Sequence, residues 1–288
     1  MRISAKIMAD NIKANLAKQS AQLMNTQLKL ASGKRINRPS DDHIGIGKVL
    51  GYRSTLSTID QYRENITDSQ TRVKYTETVL GQINDFLREA KSIASNPGTE
   101  DKTPLAEAIK DIRDQTLGLA NSKYGKNYLF SGHLTDTPAF DSATYAYNGD
   151  GGSHRVVIGE GITVELEADG SQMFIESGDN LFQVLDDLEA ALTADDPVAI
   201  RAAVDPLERI GDRIQITRSG LASDYKRLEA TNDYWSSFGN SVETMRSGVE
   251  DADITKTALD MQVQQTAYEV LLATAAQVIQ PTLVDFLR

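Results

Sequence analysis

The stretch YRSTLSTIDQYRENITDSQTRVKYTETVLGQINDFLREAKSIASNPG, Tyr52–Gly98, decides the fold. Tyr52, Ile59, Ile66, Val73, Leu80, Leu87 and Ala94 recur every seven residues, and Tyr62, Ile83 and Ala90 follow some of them at an offset of three. A repeat of this kind keeps one apolar stripe on one side of an α-helix. It predicts a single helix of about 43 residues, roughly 65 Å long at 1.5 Å per residue. Asn96-Pro97-Gly98 ends it, because proline disfavours a helical predecessor and glycine suits a sharp turn.

A second register of nearly equal length lies toward the other end. Leu207, Ile214, Leu221, Leu228, Trp235, Val242 and Val249 carry the repeat, with Ile210, Phe238, Met245 and Ala252 at the offset of three. Two matched stripes, each too long for a small core, are buried most simply against each other. The expected fold is mainly α: an elongated rod of long antiparallel coiled-coil-like helices from both chain ends, with a small β-rich inserted domain. Ile59, Ile66, Val73, Leu80 and Leu87 form one half of the seam, and Ile214, Leu221, Leu228, Trp235, Val242 and Val249 the other. Trp235 is expected to lie buried between the helices.

Between the registers, Thr103-Pro104-Leu105 opens a shorter helix to about Ser122, with proline in its first turn. Tyr145–Tyr147, His154–Ile158 and Ile162–Glu167 read as short strands, separated by Asn148-Gly-Asp-Gly-Gly152 and Gly159-Glu-Gly161. Helices resume with Asn180–Leu192, which sets Leu181, Leu185, Leu188 and Leu192 on one face, and again at Asp195-Asp196-Pro197. Pro206 marks a kink or a new start. The resulting division is 1–45 as an N-terminal assembly helix and elbow, 46–130 as the first half of the rod and 131–177 as the β-rich domain. Residues 178–206 form short helices, 207–252 the second half of the rod and 253–288 a C-terminal assembly helix.

The 288 residues carry a net charge of -11, spread unevenly. Met1–Leu50 holds nine Lys/Arg against three Asp/Glu, whereas Val156–Ile200 holds eleven acidic residues and no basic one. An acidic chain with a mildly basic end lacks the concentrated basic face of a nucleic-acid binder. The absence of cysteine removes disulfides, thiolate catalysis and cysteine metal sites. The N-terminus lacks an apolar core and a small-residue cleavage pattern, so no ordinary signal peptide is expected. No window of about eighteen apolar residues exists, and no membrane insertion is expected.

The ends differ from the rod. Ile3, Ile7, Ile12, Leu16, Leu23 and Leu30 punctuate the first thirty residues. Leu259–Arg288, with Leu259, Val263, Val270, Leu271, Val278, Leu283 and Phe286, carries only four charges. Such helices have little of their own chain to pack on except each other, so they read as surfaces that are mobile in the monomer and ordered on assembly.

The elbow ASGKRINRPSDDHIGIG, Ala31–Gly47, invites a phosphate-loop reading through its glycines and Lys48. The Walker spacing and a preceding strand are missing, so a structural turn is the better account. Asp41 and Asp42 as an acid/base pair compete with capping of the next helix, and capping is favoured. His43, His133 and His154 lack zinc spacing, and Asn148–Gly152 lacks the acidic ladder of a calcium loop, which leaves a hairpin turn. No nucleophile, base and orienting group assemble, so no catalytic residue, cofactor or metal is expected.

Ala31-Ser-Gly-Lys-Arg-Ile-Asn37, followed by Pro39-Ser-Asp-Asp42 and Gly45, resembles the N-terminal signature of bacterial flagellins. Val249-Glu-Asp-Ala-Asp253 and the ending from Tyr268 to Arg288 resemble the C-terminal counterpart. Asn127-Tyr-Leu-Phe-Ser-Gly132 with Thr137-Pro138-Ala-Phe140 is similar to the hook-filament junction branch of that superfamily, the third hook-associated proteins. His43 and Lys48 depart from the commonest flagellin pattern, and 178–206 matches poorly. The resemblance implies a structural, non-enzymatic flagellar part located on the extracellular flagellum. It further implies type III export without a cleaved signal and assembly as a ring of identical subunits. The implied partners are the first hook-associated protein, flagellin and an export chaperone. Arg35, Asn37, Asp41 and Asp42 join the apolar end residues as the expected assembly surface. A minor flagellin forming filament itself is the alternative within the family. A cytoplasmic signalling coiled coil is the alternative outside it, contradicted by the β insert.

Overall fold

The computed structural model describes the backbone of residues 2–98, 101–166 and 169–286, and the side chains of 7–98, 101–166, 169–176 and 178–276. The chain order is α1 (Arg2–Ser32), α2 (His43–Ser95), α3 (Thr103–Ala120), β1 (Lys123–Tyr124), β2 (Asn127–Tyr128), β3 (His154–Gly159) and β4 (Ile162–Leu166). It continues with α4 (Gly170–Phe174), a 3-10 turn (Glu176–Gly178), α5 (Leu181–Thr193), α6 (Pro197–Ala202), α7 (Val204–Glu250) and α8 (Ile254–Phe286). The fold is mainly α, and its only sheets among the described residues are the two-stranded pairs β1-β2 and β3-β4. The chain divides into two compact units, Met1–Thr58 with Ser237–Arg288, and Ile59–Ser236.

Within Ile59–Ser236, α2 and α7 run antiparallel. Lys91 meets Glu208 at 3.1 Å, Glu77 meets Arg218 at 2.5 Å and Arg63 meets Asn232 at 3.4 Å, so numbers fall on one helix as they rise on the other. Both registers face inward there: Ile59, Ile66, Val73, Leu80 and Leu87 are buried, as are Leu207, Ile210, Ile214, Leu221 and Leu228. In the other unit Val242 is buried and Val249 and Ala252 half-buried, but Phe238 and Met245 at the offset positions are exposed, so the second apolar row is open at those two positions. Pro206 sits in the first turn of α7, where its missing N–H costs nothing, so it begins the helix without kinking it.

Short helices cover this seam. Asn180 caps α5 by accepting from Phe182 N at 3.0 Å, and Asp196 caps α6 by accepting from Val198 N at 2.9 Å. Leu181, Leu185, Leu188 and Leu192 are all buried, and α5 packs on α3. The buried Arg113 of α3 bridges Asp186 and Glu189 of α5. Phe130, Phe140, Phe174 and Phe182 stack edge-on or tilted at 5.0–6.3 Å and belong to the same buried cluster as the helix seam.

The 131–177 segment holds less β structure than its sequence pattern predicts. Tyr145–Tyr147 forms no strand: Tyr145 has φ +56, which extended backbone does not allow, and only a single bridge joins Phe140 to Tyr147. Asn148–Gly152 does not close a hairpin either. Asp150 Oδ1 accepts from His133 N at 2.7 Å and Gly152 N at 3.1 Å, tying the stretch to an earlier loop. The true hairpin, β3-β4, has a register shift between Val157 and Gly159, as a bulge produces. Carbonyls freed near it are taken by the helices: Asn65 Nδ2 donates to Val157 O at 2.9 Å and Trp235 Nε1 to Ile158 O at 2.7 Å. Trp235 is therefore half-buried, its ring 5.1 Å from Tyr62, and clamps the hairpin instead of disappearing into the helix seam.

Candidate assembly interface

The breaks that end α1 and α7 are built by residues far apart in sequence. Gly33 follows α1 with φ +70, the left-handed conformation that lets a helix terminate without a Cβ penalty. The chain then pairs with the α7–α8 break: Ala252 N donates to Gly33 O at 2.8 Å, Arg35 N to Glu250 O at 2.7 Å, and the backbones of Lys34 and Asp251 form an antiparallel β-bridge. Ile36 buries its side chain, and Asn37 Nδ2 donates to Lys34 O at 2.9 Å. The stretches 33–37 and 249–253 thus form one clasp, and Asp253 caps α8 by accepting from Lys256 N at 3.0 Å.

The two aspartates of the elbow hold backbone amides. Asp41 Oδ2 accepts from Arg38 N at 2.9 Å and Asn37 N at 3.0 Å, and these bonds hold its carboxyl below the usual range. Asp42 caps α2 by accepting from Gly45 N at 2.8 Å, and is lowered first by that bond and then by Arg35. Arg35 reaches Asp42 at 3.2 Å and donates to Val249 O at 2.7 Å. Arg35, Asn37, Asp41 and Asp42 are therefore all engaged inside the clasp.

Its charged centre is Glu250, whose side chain is 2 % exposed. Lys34 lies 2.6 Å away, and Arg53 and Arg246 complete the shell. Burial alone would raise this carboxyl, but the bonds from Lys34, Arg246 and Arg53 outweigh it and hold it down at about 2. Arg246 is itself raised, chiefly by Glu243.

From the clasp α1 and α8 depart side by side and pack along each other, α1 arriving and α8 leaving, so they run antiparallel. Ile12, Leu16, Leu23 and Leu30 are half-buried, and Thr26 is buried. On α8 the covered positions include Met261, Gln264, Tyr268, Leu271 and the buried Ala275, at helical spacing. Its outer face carries Leu259, Val263 and Val270, exposed at 62 %, 62 % and 59 %. Ile7, Met8 and Met24 of α1 are exposed as well. The side chains of Ile3, Val278, Leu283 and Phe286 lie outside the described residues.

Reactive chemistry is sparse elsewhere. His43, His133 and His154 are exposed, and His133 Nδ1 lies 3.2 Å from Asp150. Among the described residues no group of three or more His, Asp or Glu is placed to hold a metal ion. No helix of the described residues is long and apolar enough to cross a membrane. Gly45 serves packing: a Cβ there would come within 2.7 Å of Ile36 Cδ1 and strike the Asp42 carboxylate. Sequence reasoning passed over Arg38, Ile44 and Leu50, all exposed beside the clasp. Three glycines in the first turns of α2 had diluted the helical pattern that marks such positions.

Known proteins resemble this chain in sequence and fold. The bacterial flagellin N-terminal helical region matches residues 3–135. Flagellar hook-associated protein 3 of Escherichia coli is 28% identical over an alignment of 302 positions, covering 93% of this chain and 94% of that protein. A flagellar hook-associated protein of Vibrio parahaemolyticus shares the fold, with a TM-score of 0.69 at 22% identity over 73% of this chain and 100% of the other. Flagellar hook-associated protein 3 of Salmonella typhimurium is 30% identical over 211 residues, 67% of each chain. With that identity spanning two thirds of the relative, and both signature stretches joined in one clasp, the chain belongs to the flagellar hook-associated protein 3 family of the flagellin superfamily.

Proposed function

We propose that this chain is a structural subunit of the bacterial flagellum that joins hook to filament and catalyses no reaction. The observation that carries the reading is the outer face of α8. Leu259, Val263 and Val270 face solvent while the covered face includes Gln264 and Tyr268. A helix that turns its aliphatic side chains outward gains most when a neighbour covers them. Residues 1–45 and 253–288 are the assembly segments, and the neighbours are identical subunits in a ring. The first hook-associated protein lies on one side of that ring and flagellin on the other. An export chaperone holds the apolar segments before type III export, which proceeds without a cleaved signal.

Deletion of the gene is expected to leave intact hooks that release unpolymerised flagellin, and filament growth with motility returns on complementation. Normal long filaments in the deletion strain would instead favour a minor flagellin, a reading that the match to the flagellin N-terminal region keeps in play. The triple substitution Leu259→Ser, Val263→Ser and Val270→Ser is expected to abolish filament formation while the secreted protein keeps its helical circular dichroism.

A further inference from the structure

The first turns of α2 present a face that nothing in the described chain uses. Ile44, Gly47, Lys48 and Gly51 lie at i, i+3, i+4 and i+7, so they share one side of the helix. Ile44 is 77% exposed, and Leu50 nearby is 57% exposed. A Cβ at Gly47 or Gly51 would meet nothing within 4 Å, unlike one at Gly45. Both glycines weaken the helix relative to alanine, and no contact among the described residues compensates for that. Lys48 has no ion pair among the described residues, and neither has Arg38 just before the helix.

An occupant for this basic, partly apolar face exists on the chain itself. The charged residues of Val156–Ile200 are all acidic, eleven in number, and eight of them are already engaged. Glu165 pairs with Arg155, Asp179 with Arg209, Asp186 and Glu189 with Arg113, and Asp195 with Lys102. Asp169 and Asp196 cap helices, and Asp187 accepts from Gln183. Glu160, in the loop between β3 and β4, has none of these ties among the described residues, and it is flanked by Ile162 and Val157, exposed at 49% and 48%. A carboxylate between two exposed aliphatic side chains matches an ammonium beside an exposed isoleucine in both charge and polarity.

We infer that the Glu160 hairpin tip of one copy docks on the Ile44–Gly47–Lys48–Gly51 face of a second copy. Gly47 and Gly51 let the hairpin backbone approach the helix closely, Lys48 meets Glu160, and Ile44 packs on Ile162. The contact rests on the junction-subunit reading above and names one interface within that assembly. It is heterologous, since helix face and hairpin tip are different surfaces, so it propagates from copy to copy, and the ring of the junction reading requires that its rotation close.

The chain has no cysteine, which makes a disulfide test free of background. In cells expressing the full-length variant Ile44→Cys with Ile162→Cys, oxidised flagella are expected to yield a ladder of linked copies, and either single variant none. Lys48→Glu is expected to lower the filamented fraction of cells several-fold, and Lys48→Glu with Glu160→Lys to restore it. Gly47→Ala with Gly51→Ala separates docking from folding. The secreted protein is expected to melt a few degrees higher while filamentation falls. Protein present in flagella with no ladder and no charge-swap rescue overturns the contact alone. Protein absent from flagella even in the unsubstituted form overturns the junction reading, and the contact with it.

Discussion

Glu250 shows how one side chain can join the two ends of the chain. Its carboxylate is buried, while Lys34 and Arg53 around it remain 38% and 49% exposed, so water can resolvate these cations if the acid is removed. Glu250→Gln keeps the shape but loses the charge, and is expected to cost about 1–2 kcal/mol, less than breaking a fully buried pair. The pH dependence has a definite sign. The folded carboxyl sits at about 2 against an ordinary 4.5. Its contribution is present above 4.5 and drains away as pH falls toward 2. Asp41, Asp42 and Glu243 are lowered too, so the unsubstituted protein loses stability for several reasons in that window. The informative quantity is the difference in unfolding free energy between wild type and Glu250→Gln, which should shrink between pH 4.5 and pH 2. A difference that stays constant across that range would rule out the charge cluster as its origin.

At the scale of elements, legibility followed burial. The registers at Ile59–Leu87 and Ile214–Leu228 were plain because each of those side chains is enclosed, and enclosure is what imposes a repeat on a sequence. The cap at Asp42 and the turn starts at Asn180 and Asp196 were legible for a local reason, since short polar side chains satisfy the first amides of a helix. Phe238 and Met245 kept the spacing but not the burial, which pattern alone cannot distinguish. Tyr145 and Tyr147 looked like a strand because aromatics favour strands, but the backbone there turns through φ +56 and the two rings pack on Phe182 and Phe140. The strands β1 and β2 have two residues each, too few for any alternation to register. The clasp pairing of 33–37 with 249–253 was invisible for a further reason: the partners are over two hundred residues apart, and backbone bonds leave no side-chain pattern. At this scale the seam carries a direct prediction. Leu80 is fully buried in the α2–α7 core, so Leu80→Ala is expected to cost about 2–5 kcal/mol in denaturant unfolding. A loss below about 0.5 kcal/mol would mean that the seam repacks around the gap.

For the molecule as a whole, the decisive fact is where the enclosed apolar residues lie. The buried cluster runs from Ile66 to Leu228 and includes no residue of α1 or α8. Those two helices pack on each other and meet the rest of their unit at the clasp, where their stability depends on mutual burial more than on intrinsic propensity. Deleting Leu259–Arg288 removes most of α8 but no member of that cluster. The shortened protein is expected to retain one cooperative calorimetric transition, with a midpoint within about 3 °C of the intact chain. Its helical circular dichroism should fall by more than the deleted residues account for, because Ile12, Leu16, Leu23 and Leu30 lose the surface that half-buries them and α1 unwinds with its partner. The same protein should be absent from isolated hooks, since the exposed stripe of Val263 and Val270 is gone. Loss of the cooperative transition itself would mean that the Ile59–Ser236 core needs the terminal helices to fold, and would undo the separation between a self-sufficient core and an assembly segment.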